Sequence, residues 1–109
     1  MITIKAGVKL AHSAFIQPEI MRIIWIAQLT APDGYEATIT CGTEGHEPHT
    51  SHAKGKAFDF RTRDFPEGKS IEKWAKRMRA KLGDCYFVVV EPNAKCPGAH
   101  PHVHVQYNG

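Results

Sequence analysis

Hydrophobic and polar positions fall into two periods along this chain. After Pro18 the apolar residues Ile20, Ile23, Ile24 and Ala27 recur at helical spacing. Proline suits the first helical turn, where its missing N–H has no partner to lose. Met21, Trp25 and Ile26 fill the other faces, so the pattern predicts a largely buried helix over 18–30, with Trp25 in the core. Pro32-Asp33-Gly34 ends it with turn chemistry. A second helix begins after Ser70, a capping residue. Ile71, Trp74, Ala75, Met78 and Leu82 share its inner face, while Glu72, Lys73, Lys76, Arg77 and Lys81 form a solvated outer one. Gly83 stops it. Period-two alternation predicts strands over 35–41, 57–62 and 102–107. The continuous apolar run 85–90 predicts a buried strand, and 42–54 and 92–99 read as loops.

The order helix, strand, loop, strand, helix, strand, strand predicts an α+β fold with a small, mostly antiparallel sheet and helices on one side. At 109 residues, with no repeat or linker, the chain reads as a single domain over 1–109. A composition of 42% hydrophobic and 23% charged residues excludes wholesale disorder. No apolar run reaches the ~18–20 residues of a membrane span, so no membrane partner is expected. The start, Met1-Ile2-Thr3-Ile4-Lys5, lacks the apolar stretch of a secretory signal. That predicts synthesis in the cytoplasm without an export signal of its own. A net charge of +3 is too mild for a nucleic-acid footprint, and basic and aromatic residues do not interleave as single-strand binders require. Three cysteines without a CxxC pair argue against a disulfide scaffold and a zinc finger.

Histidine is the residue that changes the picture. Six of the seven fall within 46–52 and 100–104. In Ala57-Phe58-Asp59-Phe60-Arg61, strand alternation sends the phenylalanines to the core and Asp59 and Arg61 to the other face. In His102-Val103-His104-Val105 it separates the histidines from the valines. Paired in one sheet, Asp59, His102 and His104 converge on a cleft, with His52 at the loop end and Gly55 turning the chain back between them. Two imidazoles and a carboxylate match a catalytic zinc site, which takes three protein ligands and leaves a fourth position for water. A neighbouring histidine can then serve as the base.

Thr50-Ser51-His52-Ala53-Lys54-Gly55-Lys56-Ala57-Phe58-Asp59, followed by His102-Val103-His104, resembles the LAS zinc peptidases. These are the D-alanyl-D-alanine carboxypeptidases and phage L-alanyl-D-glutamate endopeptidases, with the pattern Ser-x-His-x-x-Gly-x-Ala-x-Asp and a later His-x-His. The resemblance implies a hedgehog/DD-peptidase-like fold, with Zn2+ held by His52, Asp59 and His104. It implies that His102 acts as general base or transition-state stabiliser. Thr50 stands for the usual serine and keeps a hydroxyl for substrate. The arginine that many members carry after the first strand is missing; Arg61, His46 or His49 are the candidates to replace it in binding a substrate carboxylate, and His46 and His49 read equally as solvated loop residues. Glu91 is either a partner that orients a ligand or base, or a strand-end charge. His100 reads as a partner behind the ligands or as structural, and His12 as structural.

The expected function is therefore hydrolysis of bacterial peptidoglycan stem peptides, at D-Ala-D-Ala or L-Ala-D-Glu, by a monomeric, minimal phage-type enzyme acting on the cell wall. The alternative is a non-enzymatic, zinc-stabilised binding module of the same fold.

Overall fold

The computed structural model describes residues 2–10, 17–43, 55–93 and 100–109. The elements run β1 (Ile2–Ile4), α1 (Pro18–Thr30), β2 (Ala37–Cys41), β3 (Ala57–Arg61), α2 (Ile71–Leu82), β4 (Tyr86–Glu91) and β5 (His102–Tyr107). The five strands form one sheet in the order β1-β2-β3-β5-β4. β1 pairs parallel with β2, and the other neighbours pair antiparallel. This is an α+β domain with a mixed sheet. β1 was not expected: Ile2-Thr3-Ile4 is too short for a period to show, and its partner lies across α1.

Alternation sorts the sheet into two faces. Phe58, Phe60, Val103 and Val105 are fully buried beneath the helices, where they meet Ile20, Ile23, Trp74 and Met78. Trp74 stands edge-on to Tyr35 and Phe60, at centroid distances of 5.1 and 5.9 Å. Its indole N–H donates to the Thr30 hydroxyl at 3.1 Å, which in turn donates to the Ile26 carbonyl. Tyr35 donates its hydroxyl to the Arg61 carbonyl and so ties the turn after α1 to the end of β3.

The helices satisfy each other's ends. Arg77 of α2 donates through Nε and Nη2 to the Thr30 carbonyl at the C-terminus of α1, which has no basic residue in its own last turn. Arg22 of α1 donates to the Lys81 carbonyl at the end of α2 at 2.7 Å. Each guanidinium meets carbonyls that carry the negative end of a helix dipole. The Ser70 hydroxyl accepts from the Lys73 N–H as the N-cap of α2, and Gly83 ends that helix at φ 87°, a conformation glycine adopts without steric cost.

Three expectations need correction. The first helix is not buried all round: Met21, Trp25 and Leu29 are 48%, 66% and 58% exposed, and Trp25 is not a core residue. The helices form a single layer, so each keeps an outward side. The run 85–90 is not a doubly buried strand. β4 is the sheet edge, Cys85 is exposed and Phe87 is half exposed on the face away from the helices. The strand expected from Tyr35 begins at Ala37. Among the described residues, no helix is long and apolar enough to cross a membrane.

Candidate functional site

The sheet face away from the helices carries the polar alternates of β3, β4 and β5. Register sets Asp59 opposite His104, and Arg61 opposite His102; across the other side of β5, His102 faces Glu91. Residues far apart in the chain thus form two adjacent rows. Gly55, at φ +71°, turns the chain just before β3.

Four side chains meet there. The His104 Nδ1–H donates to Asp59 Oδ1 at 3.0 Å. His102 Nε2 lies 3.0 Å from Glu91 Oε2 and 3.7 Å from Asp59 Oδ1. His102 Nδ1 donates to the His100 carbonyl at 2.6 Å, which leaves Nε2 as the site that can take up a proton. All four residues are half-buried. Burial of the His104 ring lowers its pKa. Hydrogen bonds to Asp59 and Gln106, and the charges of Asp59 and Glu91, outweigh that and hold it above the ordinary imidazole value.

Gln106 is a site residue that motif reasoning missed. Its Nε2 donates to Asn108 Oδ1, so its Oε1 faces the ring and accepts from His104 Nε2 at 2.8 Å. The same His-x-His-x-Gln alternation that pairs the histidines puts it on their face, and that was the available signal.

The zinc-site donor types can be tested against this geometry. Two ligand atoms about 2.0–2.1 Å from a tetrahedral zinc stand about 3.3 Å from each other, close to the 3.0 Å between His104 Nδ1 and Asp59 Oδ1. With Nδ1–H on Asp59 and Nε2–H on Gln106 the ring carries both protons; a metal taken up at Nδ1 would replace the first, while Gln106 would keep the second on Nε2. An acceptor behind the ring that selects the tautomer is usual for a metal-bound histidine. Asp59 and His104 therefore fit two corners of such a site. Among the described residues no group of three His, Cys, Asp or Glu is arranged to hold an ion. The expected third ligand, His52, lies outside the described residues, as do Thr50, His46, His49 and His12.

Beside the cluster, the same end of the sheet forms a hollow of about 390 Å³ lined by Lys5, Thr40, Arg61, Arg63, His100 and Pro101. Arg61 stands opposite His102 in the register. The hollow collects three permanent cations one row from Asp59 and His104, a setting that attracts carboxylates. His100 accepts from His102 through its backbone carbonyl and also borders this hollow. Glu91, at the end of β4, reaches His102 across the strand pair.

No protein-family model, no curated protein and no solved structure matches the chain.

Proposed function

We propose that the protein is a zinc-dependent peptidase of the LAS type that hydrolyses stem peptides of bacterial peptidoglycan. The observation that carries this reading is the pairing of Asp59 with His104, backed by Gln106, beside the His102–Glu91 pair. Asp59 and His104, with His52, would hold the metal. Bound zinc supplies a Lewis acid that polarises a scissile carbonyl and brings the acidity of water near neutrality.

The remaining chemistry belongs to the chain. His102 takes up a proton at Nε2, because its other nitrogen is committed to the His100 carbonyl. Glu91, 3.0 Å away, stabilises the resulting imidazolium. Arg61, with Lys5 and Arg63, receives a free substrate carboxylate. Wall stem peptides carry such carboxylates, and this favours them over ordinary peptide interiors.

The test is zinc-loaded protein incubated with purified muropeptides, with products identified by mass spectrometry. One peptide bond should be cut at a defined position. Asp59→Asn should abolish the cut, and His102→Gln should slow it with zinc still bound. Zinc binding without cleavage of any wall fragment would contradict the reading and leave a metal-stabilised binding module.

A further inference from the structure

We propose that the outer side of the two helices is a docking surface for an anionic lipid membrane. This surface lies across the sheet from the candidate site, and the inference does not depend on the chemistry proposed there.

Two stripes carry the argument. Met21, Trp25 and Leu29 recur every four residues on α1 and line its outward side, each about half exposed or more. Lys73, Arg77 and Lys81 recur every four residues on α2, and Lys69 extends that row beyond its N-cap. The stripes are contiguous. Leu29 shares one hollow with Trp25 and Gln28, and a larger groove of about 780 Å³ with Lys69, Lys73, Arg77 and Lys81. Asp33 is the one carboxylate among the described residues lining that groove. The surface is thus a cationic row beside an apolar ridge with an exposed tryptophan.

Each possible occupant would use this surface differently. A soluble polyanion would use the cations and leave Trp25 and Leu29 in water. A second copy of the chain would cover the ridge but bring two cationic rows together, and like charges set face to face oppose that pairing. An anionic bilayer uses both stripes. Lys and Arg meet the headgroups, while Trp and Leu enter the boundary between headgroups and acyl chains. The absence of a spanning helix bears on crossing a membrane, not on lying against one.

The experiment is co-sedimentation of the full chain with vesicles of phosphatidylglycerol and phosphatidylcholine in equal parts, against pure phosphatidylcholine. Binding should appear with the anionic vesicles alone, weaken with salt, and shift the Trp25 emission to the blue. Trp25→Ser should lower partitioning roughly tenfold. Replacing Lys73 and Lys81 by Gln should lower it about fivefold for each cation removed. Because these side chains are exposed, the variants should melt with the wild type, and that control separates lost docking from lost fold. Equal binding to both vesicle types would overturn the proposal, as would anionic binding that Trp25→Ser leaves intact. Vesicle-independent dimerisation that Trp25→Ser dissolves would assign the ridge to a second copy instead.

Discussion

Asp59 and Phe60 are neighbours in β3, yet they belong to different halves of the molecule. Phe60 points under the helices and is fully buried with Phe58, Val103 and Val105. Asp59 points to the face away from the helices, where His104 and His102 stand beside it. Each buried apolar side chain contributes about 1.5–3 kcal/mol. The half-buried polar contacts opposite are partly screened and contribute about 1 kcal/mol or less each. The covered face therefore carries the stability and leaves the open face able to hold charges that repay the fold little. A strand period of two is enough to separate the two tasks.

The sharpest way to break this comparison is to mutate the two neighbours in turn. Asp59→Asn should remove zinc binding and all hydrolysis, while the melting midpoint of the metal-free protein shifts by no more than about 1 kcal/mol equivalent. Phe60→Ala should cost about 3–5 kcal/mol in denaturant unfolding, a large share of a typical domain's stability. If Asp59→Asn unfolded the chain, the division between the faces would fail.

A smaller effect tests the backing of the site. Gln106→Ala removes the acceptor behind His104 and should weaken zinc binding about 10–100-fold, as read by competition with a chelating dye, with circular dichroism unchanged. An unaltered affinity would show that the tautomer is set by something other than Gln106.

The smallest effect concerns pH. In the metal-free protein the folded state holds the His104 proton more tightly than the unfolded chain does. The stability this gives is fully present below the ordinary imidazole pKa of about 6.5, and is lost as pH rises through the higher folded value. In EDTA the wild-type midpoint should therefore fall, relative to His104→Gln, between slightly acidic and alkaline pH. With zinc the trend should reverse, because the metal requires the deprotonated ring. Parallel profiles for the two proteins would remove His104 from the account.

Much of this arrangement was legible in the chain, and the gaps have physical causes. Pro18, Ser70 and Gly83 mark helix ends by local chemistry, so both helices could be bounded from sequence. Alternation sorted Asp59, His102 and His104 from Phe58, Phe60, Val103 and Val105, because it is a property of single strands. What alternation cannot convey is which layer a side chain meets. Trp25 sits among isoleucines in the chain, yet it lies on the outside of a one-layer helical cover. Val88 is buried and Phe87 is half exposed, because Val88 shares the helix-covered side with Val105 and Phe87 shares the other side with Gln106, where none of the described helices packs. The Glu91–His102 contact depends on β4 pairing with β5, and the cationic hollow on β3 lying between β2 and β5, an order no local pattern encodes.

X-ray absorption at the zinc edge of the purified, zinc-loaded protein reads the proposed metal site itself. One zinc per chain is expected, with two nitrogen neighbours, a carboxylate oxygen and a further light atom at about 2 Å, and the metal should be lost in Asp59→Asn. A chain that retains no zinc, or whose zinc has sulfur neighbours, would contradict it.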